Sequence, residues 1–438
     1  MTVKPAANTL PTLANLPAYQ CYDCVGCGDC CRGLFAIRLT EADYARITAQ
    51  GWENDPELHG QTLFTKQDDG HRMAHREDGS CVFLNERGLC RIHAKFGEPA
   101  KPLACRLYPF IYVPVGNELR IDVRFDCPQV AGSRGRSITT YRADLREMLP
   151  QWVEEMLKEK LQKASQQAVP VQSWELPAPP LFARVTLPWT HLLRIEQAME
   201  KLLTRTDLDF TRRLVCMANL TAALRTPRLA GVEMKKLDEL LAKLTAMVVE
   251  KVKGDALVRL APPGLTRAMF RQMLAAYGRA DRIGQRPNVW QRLTVGLRML
   301  NGRGTMPPIR PGFPPVRFAD LEGAFGLPDE EATAPLVRYY RVHLQSMGFC
   351  GPIFYGRAFL DGLGMLCLTY PLICWFARAF AVAEGHPALT AQHVERAIAV
   401  VDHQHGRNKL FDLPSERYRQ HALLDRSTLR SLIVWYGS

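Results

Sequence analysis

The sequence predicts a mainly α protein, with a small cysteine-rich, metal-binding α+β module at the N-terminus of a large helical body. Three observations carry this. Nine of the thirteen cysteines fall within the first 127 residues, five of them in the run Cys21-Tyr-Asp-Cys24-Val-Gly-Cys27-Gly-Asp-Cys30-Cys31. From Cys21 to about Gln129 the chain is rich in turns and short alternating stretches, whereas after Gly135 apolar residues recur at helical spacing. At 438 residues it has material for two or three domains and a buried core without disulfide staples.

Residues 1–20 hold three prolines, one lysine and no continuous apolar run, so they read as a flexible tail and not as a secretory signal. A cytoplasmic, reducing compartment follows, in which clustered cysteines are metal ligands and not disulfides. Within the module, residues 21–130, Leu34 to Leu39 suits a strand and Thr40 suits the cap of a short helix carrying Tyr44 and Ile47. Turns at Asp78-Gly79 and Asn85 to Gly88 fall just before Cys81 and Cys90. The clearest hairpin is Phe110 to Val115, a Gly116-Asn117 turn, then Leu119 to Phe125, where apolar residues alternate with Arg120, Asp122 and Arg124.

The helical domain occupies residues 131–438. Tyr141, Leu145, Met148 and Leu149 lead into Trp152, Val153, Met156 and Leu157, with Pro150 placed to start a second segment. A proline-rich connection spans about 169–188, and helices resume at Trp189. Leu237, Leu240, Leu241, Leu244 and Val248 share one face, and Val394, Ala397, Ile398 and Val401 follow a Thr390 cap. Gly362 to Ala377 runs sixteen residues without a charge. That is short of the ~20 a spanning helix needs, and Pro371 interrupts it, which predicts a buried helix pair in a soluble protein with no membrane partner.

Eight cysteines form the candidate metal ligands: Cys24, Cys27, Cys30, Cys31, Cys81, Cys90, Cys105 and Cys127; Cys21 is a ninth. Thiolates recurring every third residue with glycines between can curl around a soft metal centre. Structural zinc takes four ligands, commonly as two separated C-x2-C knuckles, and here the first knuckle runs on to a third and fourth cysteine. C-x2-C-x2-C is a ferredoxin spacing, and Cys127-Pro128 matches its closing C-P, so the spacing favours iron–sulfur. Two cubanes, one cluster with a zinc, or two zincs all satisfy eight sulfurs. The C-x3-C-x2-C signature of radical chemistry on S-adenosylmethionine fails, because Cys27 and Cys31 are followed by Leu34.

The run Cys24 to Gly33, with Cys81-Val-Phe-Leu84, Cys90-Arg-Ile-His93 and Pro102-Leu-Ala-Cys105-Arg106-Leu-Tyr-Pro109 in that order, resembles the CxxCxxCC cysteine-cluster family of YkgJ-type zinc- or iron-chelating proteins. The resemblance covers roughly residues 21–130 and implies that the matching cysteines are ligands. More distantly, Leu336 to Ala383 is similar in style to the C-terminal part of the flagellin lysine N-methylases. That implies an S-adenosylmethionine-dependent enzyme acting on a protein substrate. A metal-handling protein without catalysis is the alternative. His93, three residues after Cys90, is either a ligand or an aromatic packing position. Arg106 either binds the cofactor, through a cluster sulfur or a bound anion, or pairs with a carboxylate.

Charge bears on partners. Residues 1–135 carry fifteen Lys/Arg against sixteen Asp/Glu, so the whole +12 excess lies beyond the module. A metal module gripping nucleic acid would bring its own cations, so nucleic acid is disfavoured. From Arg267 to Arg317 ten arginines face one acid, Asp281, either as a groove for an anionic partner or as solvated helix faces. His403 and His405 are two apart and point away from each other on a helix. Cys216, Cys350, Cys367 and Cys374 read as core thiols, and Gly362-Leu-Gly364 as a packing site. Tyr339, Tyr340, His343 and Asp361 are either satisfied polar groups or a base for a lysine amine.

Overall fold

The alternation around Arg120 becomes the central strand of a three-stranded sheet in the computed structural model, which describes residues 10–32, 37–67, 70–164, 176–279, 289–310 and 312–438. Phe110–Val115 pairs antiparallel with Glu118–Val123, from Phe110 opposite Val123 to Val115 opposite Glu118. Leu119, Ile121 and Val123 are fully buried, as period two requires when one face of a strand meets a core. The third strand is Thr12–Asn15, parallel to Glu118–Val123. Residues 10–20 are therefore not a tail. Leu13 and Leu16 bury against the sheet, and the strand covers an edge the hairpin would otherwise leave open.

Thr40 caps Glu41–Thr48 in a capping box with Asp43, as expected. Of the strand expected at Leu34 to Leu39, residues 33–36 lie outside the described residues. Ile37 and Leu39 bond to the strand Gly70–Met73, Leu39 N donating to His71 O at 2.9 Å. The module holds its own apolar cluster, which includes Leu39, Ile47, Trp52, Met73, Val82, Phe83 and Ile92. The hairpin does not join it. Its side chains enter the larger core, continuous from Leu13 to Tyr436, that the helices build.

Helix makes up 55% of the chain. Pro150 does not start a second segment: Arg142–Ala164 is one helix with the proline inside. A mid-helix proline costs about 3 kcal/mol. Here Leu145, Met148, Leu149 and Val153 bury on both sides of it, which favours continuing the helix. The same holds at Pro371. Phe359–Ala383 is one helix and not a pair, and 94% of its most apolar window is buried within the protein. Its glycines admit close packing, since a Cβ at Gly362 would lie 1.8 Å from Phe349 O. Its arginine, Arg378, is 1% exposed and donates to the carbonyls of Leu321, Gly323, Tyr436 and Ser438. The connection expected at about 169–188 is described from Leu176 onward and forms the short strands Pro180–Phe182 and Val185–Thr186. Trp189–Leu203 then resumes the helices, and Met234–Lys253 buries Leu237, Leu241 and Val248.

Candidate metal centre

Two glycines let the first cysteine run turn tightly. Gly26 and Gly28 have φ of +68° and +74°, values that side chains other than glycine rarely adopt. A Cβ at Gly28 would also lie 2.7 Å from Gly88 O. The Cys24–Cys31 loop is thus pressed onto the Asn85–Leu89 turn, which Asn85 closes by accepting from Leu89 N at 2.8 Å. That turn delivers Cys90 to the N-cap of Arg91–Phe96. Cys81 N donates to Cys31 O at 2.7 Å, which joins two sequence-distant cysteine segments through backbone, and Arg32 Nη1 donates to Cys27 O at 3.0 Å within the first. Cys105 stands on Leu103–Leu107 and Cys127 caps Pro128–Ala131.

None of the thirteen cysteines is in a disulfide. Their mutual fields sort the eight expected ligands into two groups that touch where Cys27 feels Cys30. In the first, Cys31 donates to the Cys30 sulfur, which pulls Cys30 down to about 7 while Cys31 is held far above its usual value. Burial pushes Cys81 up to about 12, and thiolates at Cys90 and Cys30 add to it. Burial likewise raises Cys105, reinforced by Cys81, Cys90 and Cys30. The second group is Cys24, Cys27 and Cys127. Burial takes Cys127 to about 11, eased by the backbone amides of Val130 and Gln129 and opposed by Cys27. Tyr22 feels both Cys24 and Cys127. Cys30 apart, thiols that hinder one another's ionisation are poor nucleophiles alone, and a bound cation is what would let them ionise together. Lys101, near Cys30 and Cys105, and Arg76, near Cys81, are two charges against five sulfurs.

The remaining expectations divide. Cys21 lies in a short strand against Ser137 and faces Arg338 in place of the other thiols. His93 is exposed on its helix, so the packing position expected for it is not formed. Arg106 pairs with Glu98 at 3.5 Å and Glu147 at 3.1 Å, the carboxylate alternative of its two readings. Among the described residues, the ligand atoms that close within 4.8 Å in a group of three are those of Glu384, His386 and His393, not cysteine sulfurs. That trio is a cap and not a site. Thr390 N donates to His393 Nδ1 at 3.2 Å, which leaves the ring proton on Nε2 for Glu384 at 2.9 Å and no lone pair there for a metal.

Residues 23–128 match one family model, CxxCxxCC, described as "Putative zinc- or iron-chelating domain". No curated protein and no solved structure matches the chain. The likeness to that family is thus confined to the N-terminal module, and the match ends where the helical body begins. The likeness to flagellin lysine N-methylases has no counterpart among these matches.

Sequence reasoning missed most of a buried polar ladder running from the module into the body. Asp126, next to Cys127, accepts from Tyr108 at 3.1 Å and meets His403 Nδ1 at 3.0 Å. Asp402 Oδ2 accepts from Phe125 N at 2.8 Å and Asp126 N at 3.3 Å. Asp402 Oδ1 meets His343 Nε2 at 3.2 Å, and His343 Nδ1 meets Asp122 Oδ2 at 3.0 Å. Burial opposes the His343 charge, but the two carboxylates outweigh it and hold the ring at about 9. Asp122 sits in a strand that reads simply as alternating, so only the folded register shows it turned inward. His403 and His405 do diverge, toward Asp126 and Tyr277. Asp361 is half-exposed and paired with Arg225 at 2.7 Å. The four isolated cysteines are buried, as expected.

Within the arginine-rich stretch, residues 280–288 and 311 lie outside the described residues. Arg271 is buried and donates to Met299 O and Leu300 O, which makes it a strut between two helices and not part of an open groove.

Proposed function

We propose that the module holds thiolate-bound iron–sulfur, with one centre drawing its ligands, four at most, from Cys30, Cys31, Cys81, Cys90 and Cys105 and a second drawing on Cys24, Cys27 and Cys127. The observation that carries this is spacing. A tetrahedral zinc with arms of ~2.3 Å sets its sulfurs about 3.8 Å apart, and no three cysteine sulfurs among the described residues close within 4.8 Å. A cluster spreads its thiolates, because each iron takes its own. Anaerobic purification with iron, zinc and acid-labile sulfide analysis tests it. A brown protein with iron and sulfide in equal amounts is expected, and a colourless protein holding zinc alone overturns it.

A second reading rests on the buried ladder. The helical body would be the catalytic part of a cytoplasmic, protein-modifying enzyme, methylating lysine from S-adenosylmethionine. The amine would take the sulfonium methyl, the donor would leave as a thioether, and the amine proton would pass to a carboxylate or tyrosine of the core. Two cavities in the body measure about 270 and 180 Å³. Both fall below the ~300–1,000 Å³ typical of drug-sized ligands, so donor binding entails opening. Labelled S-adenosylmethionine with cell lysate decides: transfer to protein supports this reading, and neither transfer nor donor binding leaves metal handling alone.

A further inference from the structure

We propose that the cavity of about 180 Å³ between the hairpin and the turn after Ala391–Gln404 is a binding site for a small carboxylate, held by Arg407 and His405. This proposal is independent of which metal the module holds and of whether the body is a methylase.

The cavity lies between Ile111 of the hairpin, the loop Gly348 to Phe354, and His405 to Arg407. Its walls are mostly apolar, with Asp122, His343, His405 and Arg407 as the polar groups, the usual composition of a ligand site. His405 is 7% exposed. Its Nδ1 is spent on Tyr277 OH at 2.9 Å, while its Nε2 is buried without a hydrogen-bond partner. A buried ring nitrogen left unbonded costs about 1–3 kcal/mol, which a ligand atom would recover. Arg407 bonds the protein through Nη1, to Asp402. Its planar fork can still present other N–H groups to a carboxylate.

The charges select the sign of the ligand. Asp122 and Asp402 are saturated by His343, by Arg407 and by backbone amides, so they offer little to a cation. His405 is kept neutral first by burial and then by the field of His343, which Asp402 opposes and Arg407 reinforces. Of the charged groups lining the cavity, His343 and Arg407 are cationic against the one carboxylate of Asp122. Gly348 lets the loop close onto the Asp122 carboxylate, since a Cβ there would lie 2.2 Å from Asp122 Oδ2. The volume, below that of drug-sized sites, restricts the ligand to a few heavy atoms.

The test is calorimetric titration of the metal-loaded full chain with acetate, glycolate and malonate. Acetamide serves as the uncharged shape control and chloride as the ionic-strength control. Saturable one-to-one binding of at least one carboxylate is expected, with acetamide at least tenfold weaker. Arg407→Lys should weaken binding about tenfold or more, and His405→Gln several-fold. Should those variants fail to fold, Ile353→Trp, which fills the cavity from its apolar wall, should abolish binding while circular dichroism stays unchanged. No saturable binding, equal binding of acetamide, or binding that survives Ile353→Trp would each overturn the site.

Discussion

At the residue scale, the division of the thiols makes a sharp expectation. Cys105 shares its field with Cys81, Cys90 and Cys30, whereas Cys127 shares its field with Cys27. Cys105→Ser and Cys127→Ser should therefore each remove about half of the bound metal, and the double variant nearly all. Metal analysis checks this, and complete loss from either single variant would mean one continuous centre. His343 gives the second expectation. Facing it are Asp122 from the hairpin, Asp402 from its neighbouring helix, the His405 and Tyr339 rings, and Arg407, whose charge the same Asp402 shares. Folding raises its pKa from 6.5 to about 9, so its contribution is whole below about pH 6.5 and is lost as pH climbs through about 9. Relative to His343→Gln, the wild type should lose on the order of 3 kcal/mol between pH 6 and 9.5. Denaturant midpoints across that range check it, and parallel curves would mean that the ring is neutral.

At the element scale, glycine decides whether the first cysteine loop can close. Gly28→Ala places a Cβ against Gly88 O at a φ of +74°. The left-handed backbone alone costs about 1–2 kcal/mol, and the clash separates the Cys27–Cys30 loop from the turn before Cys90. Metal content should fall while the helical far-UV signal stays unchanged, since the loop lies outside the helical core; unaltered metal content would contradict this packing. The same scale shows what was legible in the sequence. The hairpin could be read because alternation is local, and the caps at Thr40 and Thr390 because the hydrogen bonds they satisfy lie three residues away. Thr12–Asn15 could not, because a parallel strand pairs with residues a hundred positions later. Pro150 and Pro371 misled for a related reason: the local cost of proline is visible in sequence, but the burial on both sides that outweighs it is tertiary. In the site, cysteine spacing named the candidate ligands, whereas their two groups and the Asp122–His343–Asp402 ladder exist only once the hairpin docks on the helices.

At the scale of the whole molecule, the cysteines straddle two cores of unequal size. Cys81 packs into the small cluster around Trp52 and Phe83, with Cys31 and Cys90 against it, while Cys127 belongs to the core shared with the helices. A cluster of ten buried side chains, fed by short strands and the short helices Glu41–Thr48 and Arg91–Phe96, has little apolar area with which to offset chain entropy. Metal binding to ligands that are apart in the unfolded chain contributes folding free energy directly. Removing the metal should therefore unfold residues 37–100 while leaving the hairpin and helices intact, since their core extends from Leu13 to Tyr436 without those residues. Calorimetry of the chelated protein should show the main transition within a few degrees of the loaded one. Limited proteolysis should cut first between residues 37 and 100, and adding metal back should restore protection. A chelated protein that melts in one transition, lowered as a whole, would show that the small core and the large one fold as a single unit held together through Cys127 and the Asp126–Asp402 ladder.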